Sequence, residues 1–413
     1  MNKAVTVKPQ KISKKIQVIA SKSMLQRIIA CAVLSERNTV INNISMCDDC
    51  KAALSVAESL GAEIIVRNNR ITIIPGKKEV KNIINCGESG LAVRMFSPIV
   101  TLFGDDFEIT GSGSLKKRPL NEICDALKQS GVKCRTNKGF IPVSVSGKLK
   151  GGKIEIDASL SSQVLTGLLI SLPKPDNDSV IKVKNLNSKP YIDLTLSILN
   201  DFGVVVKNKN YKEFYIKGNQ KFSVSEYTVE GDWSGAAFLL TAGLIAGKIE
   251  LTGLNLNSYQ ADKKIIDVIK KAGGKIYFTK NSVITEQSNL NSFKFDATHS
   301  PDLFPPLAVL AANCRGTSEI KGVKRLIYKE SNRAETLRRE FSKIGIEIKI
   351  KDDTMFIKGG KIRGGIINSG NDHRIAMAAA VIALNAESEI IIEDAYSINK
   401  SYPSFYEDLL GIK

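Results

Sequence analysis

The 413-residue sequence predicts a mixed α/β fold built from one repeated αβ unit, packed into closed domains. Two observations carry this. Apolar stretches at helical spacing alternate along the chain with short runs rich in Val, Ile and Thr, the pattern of helices and strands in turn. The glycines that end the amphipathic segments, Gly61, Gly131, Gly203, Gly273 and Gly345, are spaced 70, 72, 70 and 72 residues apart, and a sixth copy ends at Gly411. A period near 70 is too long for the common solenoids and suits a compact αβ unit. Six copies in closed domains follow, not an open array.

The first unit opens at Ser21-Lys22-Ser23-Met24-Leu25-Gln26-Arg27. Leu25, Ile28, Ile29, Ala32 and Val33 recur at helical spacing, and Ser23 followed by Gln26 predicts an N-terminal capping box. The first-turn N–H groups, Lys22 and Arg27 would together suit an anion. Taken by itself, this stretch is more readily a capped surface helix with solvated charges, since surface Lys and Arg are common.

The other five first helices open at Glu88-Ser89-Gly90, Ser161-Ser162-Gln163, Gly231-Asp232-Trp233-Ser234, Ser300-Pro301-Asp302 and Asn371-Asp372-His373-Arg374. Each carries a capping residue or a first-turn proline. Strands are predicted after the six helices at 39–44, 107–110, 180–183, 248–252, 318–321 and 389–392. Cations gather before some second helices only: Lys116-Lys117-Arg118, Lys189, Lys329 with Arg333, and Lys400. Convergent helix starts with these cations would form an anion site from distant sequence.

Composition narrows the ligand class. With 59 Lys and Arg against 42 Asp and Glu, the net charge of +17 favours acidic partners. The basic residues are spread along the chain and only 6% of residues are aromatic, so neither a basic tail nor a base-stacking platform is evident. The seven cysteines suggest no disulfide framework, and Cys47-Asp48-Asp49-Cys50 lacks the second pair or nearby His of a zinc site. No apolar leader core stands at Met1 to Val5, and the longest apolar runs, 235–246 and 375–385, are too short to span a membrane. A reducing cytoplasm is the expected location.

Seven motifs in order carry a resemblance. Ser21-Lys22-Ser23 with Arg27, Lys117-Arg118-Pro119, Ser161-Ser162-Gln163, Ser188-Lys189-Pro190-Tyr191, Pro301-Asp302, Lys329-Glu330-Ser331-Asn332-Arg333 and Asn371-Asp372-His373-Arg374 are similar to those of the 5-enolpyruvylshikimate-3-phosphate synthases. Singly each motif is weak; their order on a six-fold repeat is specific. The resemblance implies two similar domains of three repeats each, of the inside-out α/β barrel type. A double crossover hinge would join them, giving one domain at 20–229 and the other from 1–19 with 230–413. It implies transfer of the enolpyruvyl group of phosphoenolpyruvate to the 5-hydroxyl of shikimate 3-phosphate, with no metal or organic cofactor, in a monomer that needs neither nucleic acid nor membrane.

Site residues follow from the same resemblance. Lys22, Ser23, Arg27, Ser161, Ser162, Gln163, Ser188, Asp302 and Lys329 would bind shikimate 3-phosphate. Lys22, Gly90, Arg118, Gln163, Arg333, Arg374 and Lys400 would bind phosphoenolpyruvate. Asp302 would act as base on the hydroxyl, Glu330 as acid and base at the methylene, and Lys22 would stabilise the tetrahedral intermediate. These residue types suit two polyanionic substrates, because guanidinium forks match carboxylate and phosphate oxygens. Structural alternatives remain for each: Asp302 as a helix cap, Glu330 in an i, i+3 pair with Arg333, Arg374 as a first-turn surface charge.

The chain departs from the family pattern at Ile19-Ala20, Gln26, Glu88-Ser89-Gly90-Leu91 and Arg325. A related transferase acting on UDP-N-acetylglucosamine is disfavoured, because Ser23 stands where that family has Asn and the segment 111–115 has no Cys. An RNA-end-processing or nucleic-acid-binding protein on the same repeat is the rival from another class, marked by salt-dependent RNA affinity.

Overall fold

A computed structural model describes residues 4–412. The chain divides into two units, 20–229 and a second made of the described part of 1–19 with 230–413, and each has its own hydrophobic core.

The unit 20–229 holds six helices: α1 (Lys22–Val33), α2 (Asp48–Ser59), α3 (Gly90–Val100), α4 (Asn121–Gln129), α5 (Gln163–Ser171) and α6 (Lys189–Asp201). Its partner unit holds α7 (Trp233–Ala246), α8 (Ile265–Lys271), α9 (Phe304–Ala312), α10 (Arg333–Lys343), α11 (His373–Ala383) and α12 (Phe405–Leu410). The odd-numbered helices are the apolar ones. From Met24 to Val33 every residue of α1 is buried, as is every residue of α3, α7, α9 and α11. They pack on one another inside their own units, α3 on α5 and α7 with α9 and α11. Burial extends to the polar Gln26 and Arg27 of α1, so this is not a surface helix with solvated charges. None of the described helices is long and apolar enough to cross a membrane.

The even-numbered helices end alike. Gly61, Gly131, Gly203, Gly273, Gly345 and Gly411 all have positive φ, between 75° and 89°. This left-handed position closes a helix at little steric cost only for glycine, which is why the spacing was visible in the sequence.

Each repeat contributes a small sheet of one design. Ile83–Asn85 lies parallel to Asp106–Thr110, which pairs antiparallel with Phe140–Ser146, which pairs antiparallel with Lys133–Asn137. The same order recurs in four further sheets. In the sixth, Gly365–Asn368 lies parallel to Ile390–Glu393, and Val5–Val7 takes the third place. Two strands show how the chain passes between units. Ile12–Gln17 pairs with Gly247–Thr252 in the second unit yet leads into α1 of the first. Glu226–Thr228 pairs with Thr39–Asn42 in the first yet leads into α7 of the second.

Two local expectations are corrected. The N-cap of α1 is Ser21, with no side-chain capping bond, and Ser23 lies inside the helix. Gln26 is buried and accepts a hydrogen bond from Ser89 at 3.0 Å, so the supposed capping box is an inter-helix contact. Cys124 and Cys134, at α4 and the following strand, are joined by a disulfide. The fold brings the two ends of that helix–strand connection together, which spacing does not reveal.

Candidate active site

In the unit 20–229 the candidate residues sit at helix starts. Lys22, the first residue of α1, pairs with Asp49 in the first turn of α2 at 2.9 Å, with both side chains largely buried. Arg27 is 2% exposed. Its Nη1 donates to the Ser23 carbonyl at 2.6 Å and its Nε to Thr195 Oγ1 of α6 at 2.9 Å, and its guanidinium carbon lies 5.9 Å from the centre of the Tyr191 ring. Burial lowers the Arg27 pKa to about 10, which leaves it charged at neutral pH.

Gly90 opens α3 behind the N-cap Ser89, whose Oγ accepts from the Ala92 N–H at 3.2 Å. The Arg118 guanidinium lies directly against Gly90, leaving no room for a Cβ. Buried Arg94 ties these two together. It donates to the Gly90 carbonyl at 3.2 Å and the Pro119 carbonyl at 2.7 Å, and pairs with Glu122 at 2.8 Å. Burial and the adjacent Arg118 charge lower the Arg94 pKa. Glu88, one of the departures, is turned onto the loop before Arg118, accepting from the Ser114 N–H at 2.9 Å and hydroxyl at 3.0 Å.

Ser162 is the N-cap residue of α5 with no side-chain capping bond, Gln163 begins the helix, and the Gln163 N–H donates to Ser161 Oγ at 3.1 Å. The Gln163 Oε1 is buried without a hydrogen-bond partner among the described residues. Ser188, in left-handed conformation at φ 58°, is the N-cap of α6.

In the second unit the candidates form one ionic network. Asp302 lies in a 3₁₀ turn, Pro301–Leu303, before α9. Its carboxylate meets Lys329 at 3.3 Å, Arg333 at 3.0 Å and Arg374 at 3.2 Å. Arg333, fully buried at the start of α10, also meets Glu330 at 2.7 Å and Asp372 at 3.0 Å. Burial works against its charge, but Asp372, Glu330 and Asp302 outweigh it and hold its pKa above the ordinary arginine range. Lys329 goes the other way, lowered chiefly by burial. Asp372 caps α11 by accepting from the Arg374 N–H at 3.0 Å, and Lys400 donates to the Asn371 carbonyl at 2.7 Å.

Structural and chemical readings thus coincide at some residues. Glu330 does make the i, i+3 pair with Arg333. Arg374, by contrast, is buried, not a surface charge. Sequence reasoning missed Asp49 as the partner of Lys22, Arg94 as the tie between Gly90 and the Arg118 loop, and Asp372 as the third carboxylate on Arg333. Asp49 and Asp372 had a visible signal as acids in or before a first helical turn; Arg94 had none.

An EPSP synthase (3-phosphoshikimate 1-carboxyvinyltransferase) family model matches residues 6–409. The chain is 38% identical over 417 residues to a 3-phosphoshikimate 1-carboxyvinyltransferase of Clostridium novyi (strain NT), covering 98% of this chain and 96% of that one. It is 39% identical to the Clostridium acetobutylicum enzyme of the same name, with the same coverage. Among solved structures it is similar to the EPSP synthase of Acinetobacter baumannii, with TM-score 0.82, 25% identity and coverage of 98% and 97%. The enolpyruvyl transferase NikO of Streptomyces tendae shares the fold at TM-score 0.80 and 15% identity. By its ordered motifs, its six-fold repeat and these matches along nearly its whole length, the chain belongs to the EPSP synthase family.

Proposed function

We propose that this chain performs its family's reaction through the residues described above. The reaction moves the enolpyruvyl group of phosphoenolpyruvate to the 5-hydroxyl of shikimate 3-phosphate and releases phosphate. The observation that carries the residue assignment is the setting of Asp302, a carboxylate held among Lys329, Arg333 and Arg374 with Glu330 on the same arginine. Such a network offers a base, an acid and anion-binding cations together.

In the addition step Asp302 takes the hydroxyl proton as the substrate oxygen bonds to C2 of phosphoenolpyruvate, while Glu330 protonates the methylene carbon. In the elimination Glu330 takes a proton back from the resulting methyl group as the C–O bond to phosphate breaks. Lys22 balances charge on the tetrahedral intermediate and the departing phosphate. Repeats 1 to 3 chiefly bind shikimate 3-phosphate through Lys22, Ser23, Arg27, Ser161, Ser162, Gln163 and Ser188, aided by Lys329 and Asp302. Phosphoenolpyruvate is held by Lys22, Gly90, Arg118, Gln163, Arg333, Arg374 and Lys400. Repeats 4 to 6 supply the carboxylates. The enzyme works as a cytoplasmic monomer on these small anions, without cofactor, nucleic acid or membrane.

Phosphate release is the test. Purified protein should release phosphate from phosphoenolpyruvate when shikimate 3-phosphate is added and not when UDP-N-acetylglucosamine is. No release with shikimate 3-phosphate would overturn the reading.

A further inference from the structure

Glu88 is a carboxylate that none of the roles above uses, yet it stands two residues before Gly90 and reaches the turn that carries Arg118. The 3₁₀ turn Gly113–Lys117 runs directly into Arg118. Its own N-cap, Ser112, makes no side-chain capping bond, so the first N–H groups of the turn need a partner from elsewhere. Glu88 supplies one from 26 residues away: its Oε2 accepts from the Ser114 N–H at 2.9 Å and from the Ser114 hydroxyl at 3.0 Å.

The backbone is shaped for this contact. The Ser112 N–H donates to the Gly87 carbonyl at 2.8 Å, and a Cβ on Gly113, which has φ 52°, would clash with the Glu88 carboxylate. The segment that bears Glu88 is itself fixed. Ser89, the next residue, is the N-cap of α3 and donates to Gln26 Oε1 at 3.0 Å, which ties the start of α3 to α1. Glu88 thus joins the two segments, 87–90 and 112–118, across which the Arg118 guanidinium lies against Gly90. Arg94 makes a second tie, to the Gly90 and Pro119 carbonyls.

We propose that Glu88 is a positioning residue for phosphoenolpyruvate. It acts through Arg118, holding the turn so that the guanidinium stands at the start of α3, and it contributes geometry to the ligand, not charge. Two bonds to a carboxylate restrain the turn beforehand, so less ordering is left for binding to do. This rests on Gly90 and Arg118 forming part of the phosphoenolpyruvate site. A carboxylate facing the ligand itself would repel it, so the sign of the effect separates the two roles.

Phosphate release is measured for the wild type, Glu88→Ala, Glu88→Asp, Glu88→Gln and Arg118→Ala, with each substrate varied in turn and a melting curve beside each. Glu88→Ala should raise the KM for phosphoenolpyruvate about tenfold and leave kcat and the KM for shikimate 3-phosphate within about twofold, the pattern of a lost binding contribution. Glu88→Asp keeps the charge but falls one methylene short of Ser114, so it should raise the same KM. Glu88→Gln loses the charge but keeps an oxygen that accepts from Ser114, and should stay within about threefold of the wild type. A KM for phosphoenolpyruvate that is unchanged in Glu88→Ala and Glu88→Asp, or lowered in Glu88→Ala and Glu88→Gln, overturns the proposal, as does a lower Tm with both KM values unmoved. If Glu88→Ala does not fold, the Asp and Gln variants decide by the same criteria. If Arg118→Ala leaves the KM for phosphoenolpyruvate unchanged, the assignment of Arg118 fails and the proposal with it; if Arg118→Ala raises it and the Glu88 variants do not, the proposal alone fails.

Discussion

The Arg118 guanidinium lies so close against Gly90 that a Cβ on the glycine would clash with Nη1. Arg94, bonded to the carbonyls of both Gly90 and Pro119, fixes the backbone on either side of this contact. Gly90→Ala must therefore displace the arginine head, which sits at the end of a flexible side chain. The expected outcome is a folded protein with little change in Tm and a KM for phosphoenolpyruvate raised about tenfold, equivalent to about 1.4 kcal/mol. Steady-state kinetics beside a melting curve checks this; an unchanged KM would remove Arg118 from that ligand.

Asp302→Asn and Glu330→Gln keep the shape of each side chain and remove its basicity. Each should lower kcat by about 100-fold or more while circular dichroism stays native. Near-normal turnover in either variant would remove that residue from the mechanism.

Arg333 also has a structural role. It is the shared cation of Asp302, Glu330 and Asp372, and it is fully buried. Arg333→Gln leaves three carboxylates without their common partner, a loss of about 3–5 kcal/mol of stability by analogy with broken buried pairs. Denaturant unfolding should show this loss, whereas Asp302→Asn, which leaves Arg333 with Glu330 and Asp372, should cost less.

Asp262, a buried carboxyl in the turn ahead of α8, makes the stability depend on pH. Its folded-state pKa, about 6, lies above that of an ordinary aspartate. The proton is thus held more tightly in the folded state, and the stability this confers is fully present below about pH 4 and lost as pH rises through 6. Asp262→Asn should accordingly unfold at a higher temperature than the wild type at pH 8, with little difference near pH 4. A variant less stable at pH 8 would contradict the direction.

The helix-ending glycines differ in what surrounds them. At Gly203 the nearest atom to an added Cβ is the Lys221 carbonyl at 3.8 Å, whereas at Gly61 the Lys78 carbonyl would stand at 2.7 Å. Gly203→Ala should cost about 1–2 kcal/mol from the left-handed backbone alone. Gly61→Ala should cost more, since backbone must also move; equal losses by denaturant unfolding would show that the contact relaxes freely.

What the sequence determined by itself was local and periodic. The positive-φ glycines, the helix starts at Ser89, Ser162, Asp232 and Asp372, and the strands after the first helices each depend on a few adjacent residues repeated six times, so one copy explains the next. The ordered motifs added the family. Tertiary structure alone decided which side chains meet. Ser23 and Gln26 looked like a capping box because they are three residues apart, but Gln26 meets Ser89, 63 residues away. Arg27 and Arg374 had solvated surface charges as their structural alternative because arginine is usually exposed, yet both are buried, as is Arg333. Asp302 meets Lys329, Arg333 and Arg374 across 27, 31 and 72 residues. The Cys124–Cys134 bond arises in the same way. Backbone propensity acts over a turn of helix, whereas the partner of a buried charge is chosen by the packing of whole elements, and that choice is written nowhere in the neighbouring residues.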